Sequence, residues 1–490
     1  MSTSPSGPSA SAGGPAVSPD RIVPTWTDPV AIQAAEAVGG PWGRHALTGR
    51  ALFWTPLRVC LAFVVLGLAL AWIKQEPCAD GDWSGFRQYT HLCYADPLPL
   101  FGRFDLGSGA LPYLDSPVDH PVLTGGLMAL AAALGRAYDG AARASDLLPD
   151  LPPVQSFYVV TCLLLSVCAL ATARGVLALS GRRPWDAAMI GLSPLLVVHA
   201  FTGWDLFAVA LTTLGMWAWA RDRPVPAGVL LGLATAAKPY PLLVLVALFL
   251  LCLRAGLLRT WLRTAGAALA GWTAVNLPVA VAAWDGWSLF FRRTVLRPAD
   301  PDSLWNVALH LSGERLFDGP LEAGQTPVVL NALSALAVAA MVAGVGWLVL
   351  AAPVRPRVAQ VAFLLVAGFL LLGKVWSPQY SLWLLPLAVL ARPAWRSLLA
   401  WQATEALLWV PRMLWYLGTD NRGIEVGWFL LAVGIRDAAV AVLVALVVRD
   451  VVQPDRDVVR AGWRGVDDPA GGPLERTVDA LALPRRDQLT

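Results

Sequence analysis

Apolar runs close to bilayer length recur from residue 52 to residue 448, separated by brief polar connections. A hydrocarbon core of about 30 Å is crossed by roughly 20 apolar residues in a helix. On that scale 52–73, 155–179, 186–201, 204–220, 264–283, 329–352, 358–373, 380–391, 398–417 and 427–448 read as spans. The run 226–253 is broken in its middle by Lys238, Pro239, Tyr240 and Pro241. Proline removes a backbone donor and clashes with the preceding turn, so this run predicts two short helices meeting at a kink. The expectation is an all-α polytopic membrane protein with about 12 transmembrane helices.

Arginine in short loops sets orientation, because such loops stay cytoplasmic. Arg182 and Arg183, Arg221 and Arg223, Arg254 with Arg259 and Arg263, Arg355 and Arg357, and Arg392 and Arg396 all occupy brief connections. Their alternation requires both termini inside and requires that the run after His120, LMALAAAL, stay on the outer side. Residues 74–153 then form one large extracytoplasmic loop, with 120–135 a helix lying on or dipping into the outer leaflet. Residues 1–50, rich in Ser, Pro, Gly and Ala, read as a disordered cytoplasmic tail. Residues 51–448 are the membrane domain, and 449–490 a second cytoplasmic tail.

Composition agrees with a polytopic, multi-pass membrane chain. Of 490 residues 56% are hydrophobic and 14% charged, against about 25% charged in soluble domains. The net charge of +3 is spread along the chain, which argues against a nucleic-acid partner. Cys60, Cys162, Cys168 and Cys252 lie in apolar runs and act as small hydrophobes. Cys78 and Cys93 share the outer loop, where an oxidising compartment would let them pair. No Cys-x-x-Cys or His-x-x-x-His spacing suggests a metal, so none is expected as cofactor, although the acidic loop leaves a bound metal open.

The outer loop collects Asp80, Asp82, His91, Asp96, Asp105, Asp115, Asp119 and His120. Solvation of a loop explains any one of them. As a set beside apolar helices, they offer carboxylates of raised pKa and restricted position, which suits a general base. Asp96 is followed by Pro97 and Pro99, and Asp115 and Asp119 are framed by Pro117 and Pro121, all stiffening the backbone around an acid. Lys238 inside a hydrophobic run is either snorkelling or functional, a lipid phosphate being its natural partner. Arg292, Arg293 and Arg297 lie among Trp284, Trp287, Phe290 and Phe291, an interfacial segment suited to phosphate. Lys374, Ser377, Gln379 and Tyr380 mark another outer turn, and His199, Trp204 and Asp205 a third. Helix capping would explain these turns, yet the topology brings them to the acidic face. Glu405, Arg436 and Asp437 lie in later spans. Adjacent Arg436 and Asp437 are expected to point apart and to be structural.

The stretches YLDSPVDHPVLTG, GWDLFAVAL, GVLLGLATAAKPYPLLVL and GKVWSPQYSLWLLPL resemble actinobacterial integral membrane proteins related to the family 87 glycosyltransferases, over roughly residues 52–460. These belong to the C-type superfamily that uses polyprenyl-phosphate sugars. The resemblance implies a helical membrane fold whose first outer loop carries membrane-lying helices and a catalytic aspartate. It further implies a polyprenyl-phosphate mannose donor, with arabinose second, and a lipid or glycan acceptor of the cell envelope. The base lies among Asp80, Asp82 and Asp96, with Asp96 favoured and Asp115 or Asp119 behind it. Relatives often read Glu-Tyr-Pro where this chain has Asp119, His120 and Pro121, a change that touches acceptor contacts. His120, Lys238, Tyr240, Arg292, Arg293, Arg297, Lys374, Gln379 and Tyr380 are the implied substrate-binding set. A lipid flippase and a non-catalytic assembly subunit are the rival classes; no internal repeat favours the first.

Overall fold

The computed structural model describes residues 54–483 except 146, 314, 320, 323 and 462–466. The predicted N-terminal tail, 1–50, lies outside the described residues. The described chain is helical, with no strand and a single isolated bridge between Pro112 and Ser116. The principal helices are α1 (Pro56–Gln75), α2 (Pro97–Arg103), α3 (Val122–Arg143), α4 (Pro153–Leu179), α5 (Pro194–His199), α6 (Asp205–Ala220), α7 (Pro224–Ala237) and α8 (Pro241–Arg254). They continue as α9 (Leu258–Ala282), α10 (Trp284–Leu296), α11 (Leu304–Leu311), α12 (Val328–Ala351), α13 (Val358–Leu372), α14 (Ser381–Ala391), α15 (Trp395–Leu417) and α16 (Val426–Val452).

By length and composition five helices can cross a membrane: α1 with the turn after it, α4, α9, α12 and α16. Five more apolar helices are shorter, α6, α7, α8, α13 and α14 with the turn before it. A 14-residue helix such as α7 reaches only about 21 Å. The expected break at 238–241 is present: Lys238 leaves the helix with extended backbone, and Pro241 starts α8. The predicted span 186–201 is not one helix. A turn at Pro184–Ala187, one helical turn at Ala188–Gly191 and α5 replace it, because Pro194 restarts the chain behind a Ser193 cap. Gly191 makes this bend possible, since a Cβ there would fall 2.5 Å from the Val64 nitrogen of α1. The helix predicted at 120–135 runs on to Arg143, and the last helix continues to Val452, past the expected boundary at 449.

Contacts sort the helix ends into two groups. One is arginine-rich and is tied together by the C-terminal segment. Arg357 pairs with Asp457 at 2.7 Å, Arg254 and Arg355 both bind Asp479, and Trp219 Nε1 donates to Gly471 O. Arg392 binds Asp450 nearby. The other group gathers the acidic loop. Lys74 Nζ donates to Val198 O, Asp96 N to Thr202 O, Thr124 Oγ1 to Ala237 O, and Trp409 Nε1 to Leu92 O. Both remote ends of the α7–α8 pair, near Ala220 and at Arg254, touch the C-terminal segment. The pair is therefore a hairpin whose tip is Lys238-Pro239-Tyr240.

Candidate functional site

The polar site assembles at that tip from four chain segments. Asp205, the first residue of α6, is buried, and its Oδ1 lies 3.3 Å from Lys238 Nζ and accepts from Trp383 Nε1 at 2.8 Å. Lys238 also stands 5.2 Å from the centre of the Tyr380 ring, a cation–π distance. Trp383 is held face to face between Tyr380 at 3.8 Å and Tyr240 at 4.5 Å. Gln379 Nε2 donates to Asp96 Oδ2 at 3.0 Å, joining the first loop to the start of α14. Gly203 sits among these groups: a Cβ there would lie 3.1 Å from Asp205 Oδ2, 3.2 Å from Gln379 Nε2 and 3.5 Å from Asp96 Oδ2. Any side chain at 203 would intrude on the carboxylates.

Asp96 is half-buried at the start of α2. Burial raises its pKa, and the charges of His120 and Lys238 and a hydrogen bond from Tyr94 only partly offset it. Burial and the neighbouring Asp96 push the Tyr94 phenol up, so it stays protonated as the donor of that bond. His120 stands edge-on to Trp204 at 5.6 Å and to Phe104 at 5.9 Å, with Nδ1 3.4 Å from Asp119. Asp119 also meets Arg103 at 3.2 Å; its bond with His120, above all, holds its pKa below the usual range.

His120 marks the mouth of an apolar cleft of about 640 Å³ between α7, α8, α9 and α10. Leu242, Phe249, Trp261 and Trp272 line its length, and Trp287, Phe290 and Phe291 of α10 cover it. Tyr113 fixes this mouth. Its hydroxyl donates to the carbonyls of His120 and Pro121, its ring lies where a Cβ of Gly125 would be, and its carbonyl lies where a Cβ of Gly286 would be.

Several expected site residues stand apart. Asp115 Oδ2 accepts from Leu111 N and shapes its own turn. Asp80 and Asp82 are exposed and pair with Arg87 within the loop closed by the Cys78–Cys93 disulfide. Arg292 turns back to Asp285 O, and Arg292 and Arg293 are exposed on α10 rather than directed to Asp96. Lys374 donates to Arg297 O, Val295 O and Asn331 and so braces the 295–297 segment. Burial, then Arg297, lowers its pKa. Tyr240 is buried as a plate beneath Trp383. Arg297 pairs with Asp300 rather than with the cluster itself, though its charge is felt there. Burial opposes its charge, but Asp300 at 2.8 Å, then Tyr380 and Asp96, raise its pKa.

Asp205 and Trp383 were the residues the sequence understated. The available signal for Asp205 was the one used for Lys238, a charge entering an apolar run. Arg436 and Asp437 do not point apart: Arg436 Nε meets Asp437 Oδ1 at 2.7 Å, because a long guanidinium side chain can fold back on its neighbour. Arg436 also lies 3.6 Å over Trp376 and 3.8 Å from Glu405. Among the described residues no three His, Cys, Asp or Glu side chains gather as metal ligands.

The fold is helical with membrane-length apolar helices, and its buried acid–cation pair lies next in the chain to Pro239, which lines the apolar cleft. Residues 146–378 match the model of glycosyltransferase family 87, and the chain is related to that family. The family implies a membrane glycosyltransferase. The matched segment carries Asp205, Lys238 and Arg297, and it begins after Asp96 and His120. No curated protein matches the chain.

Proposed function

We propose that the protein transfers a sugar, mannose first among candidates, from a polyprenyl-phosphate donor to a lipid or glycan acceptor of the cell envelope, on the outer side of the plasma membrane. The observation that carries this reading is the junction at His120, where the apolar cleft meets the Asp96, Lys238 and Asp205 cluster. The cleft suits an isoprenoid chain, and the cations beside it suit a phosphate. Asp96 takes the proton of an acceptor hydroxyl as that oxygen attacks the anomeric carbon from the face opposite the phosphate, inverting it. The sugar–oxygen bond to phosphate breaks, and the electron pair leaves on the phosphate. Lys238 and Arg297 meet the charge that grows there, which is where fixed charge accelerates reaction. On this reading the chain crosses the membrane about twelve times, in line with the alternation of contacts between the two groups of helix ends, and the arginine-rich end is cytoplasmic.

The test supplies membranes with labelled polyprenyl-phosphate mannose and compares wild type with Asp96→Asn. Loss of about 10²–10⁴-fold in transfer is expected for a missing general base. Undiminished product in Asp96→Asn removes Asp96 from this role. Movement of intact sugar-lipid across vesicles without transfer would replace the enzyme reading with the flippase.

A further inference from the structure

Asp96 also borders an aromatic cluster built by the first loop and α15. There Tyr94, hydrogen-bonded to Asp96, packs against Trp83 with ring centres 5.4 Å apart. Tyr94 also interacts with Arg412 and Tyr416. Tyr89 and Tyr416 lie nearly parallel, 14° and 5.9 Å apart, and Tyr416 is 38% exposed. The Arg412 guanidinium lies 4.8 Å over the Tyr416 ring, fixed by Asp302 at 2.8 Å. Trp83 Nε1 is buried without a partner.

We infer that this face is a saccharide subsite, which receives the pyranose ring of the acceptor; the inference rests on the transferase reading above. Flat aromatic faces take the apolar C–H side of a pyranose, while guanidinium and indole N–H groups bind its hydroxyl rim. The lipid cleft offers an almost wholly apolar lining instead, so lipid and sugar are given chemically different places to bind. The face is built rather than incidental. The Cys78–Cys93 disulfide closes the loop that carries Trp83 and Tyr89, Arg87 ties that loop inward through Pro77 O, and Trp409 Nε1 holds its end at Leu92 O. A hydroxyl seated here lies beside Tyr94, the immediate neighbour of the Asp96 carboxylate.

The experiment measures saturation-transfer NMR from the purified protein in nanodiscs to soluble α-mannotriose, maltotriose and arabinotriose, none of which has a chain to enter the lipid cleft. At least one should bind. Tyr89→Ala and Tyr416→Ala should weaken it about tenfold, Tyr89→Phe and Tyr416→Phe should retain it, and Phe290→Ala in the cleft should leave it unchanged. No binding by any of the three sugars, or equal binding in wild type and both alanine variants, overturns the subsite. Equal loss in Phe290→Ala overturns it as well, by placing the sugar in the cleft. This readout needs no turnover: binding without donor transfer would sink the transferase reading and leave the subsite standing.

Discussion

At Asp96 burial and charge work in opposite directions, and their balance sets a pH profile. A base must be deprotonated to act, so transfer should rise with pH through the Asp96 pKa, which lies above the ordinary carboxylate range. The positive charge of His120 holds that pKa down, so His120→Ala should move the acid limb to higher pH. The initial rate of transfer against pH checks this; a limb that stays put or moves down would detach His120 from Asp96. Lys238 poses a different problem, because it neutralises a buried carboxylate. Removing one partner of a buried pair costs about 3–5 kcal/mol, so Lys238→Ala should lose fold and activity together. The double variant Asp205→Asn with Lys238→Met should recover thermal stability without recovering transfer. If the double variant transfers sugar at the wild-type rate, Lys238 serves only Asp205. Asp96, Lys238 and Gln379 were legible in the sequence as rigid acid, buried cation and polar turn. Trp383 was not, since a tryptophan in SLWLLPL looks like any apolar neighbour until the fold sets it between two tyrosines.

Among the elements, the hairpin of α7 and α8 was readable because Pro239 and Pro241 leave no other local solution, whereas the broken segment before α6 was not. Ser193-Pro194 sits in the run DAAMIGLSPLLVVHA, whose hydropathy matches an unbroken span. Only the approach of Gly191 to the backbone of α1 shows why the chain bends there. A similar close approach governs α10, the helix that covers the cleft. With the Tyr113 carbonyl 2.1 Å from where a Gly286 Cβ would stand, Gly286→Ala must push α10 outward. The expected result is a loss of about 1–3 kcal/mol of stability, as for overpacking elsewhere, together with a raised KM for the polyprenyl donor. Thermal unfolding with donor titration tests both. A variant of unchanged KM would show that α10 does not cover the donor.

For the whole molecule the C-terminal segment is the part the sequence left unread. Its aspartates look like a solvated tail in isolation, and their partners, Arg254, Arg355 and Arg357, lie 100 or more residues away. Arg357 and Asp457 are each 2% exposed, so Asp457→Ala should cost about 3–5 kcal/mol while leaving the cleft and Asp96 untouched. The same segment gives the sidedness a direct handle. Leu147, 92% exposed, lies in the connection from α3 to α4 on the acidic side, and Val478, 90% exposed, lies beside Asp479 on the arginine side. The native Cys78 and Cys93 are bonded to each other, Cys60, Cys162 and Cys252 are buried, and the half-buried Cys168 lies inside the apolar helix α4, where a Cys168→Ser background removes it from the comparison. Leu147→Cys should therefore react with a membrane-impermeant maleimide in intact cells, and Val478→Cys only after permeabilisation. Labelling of both from outside, or of Val478→Cys alone, would invert or abolish the arrangement in which a lipid-borne sugar meets Asp96 on the outer face.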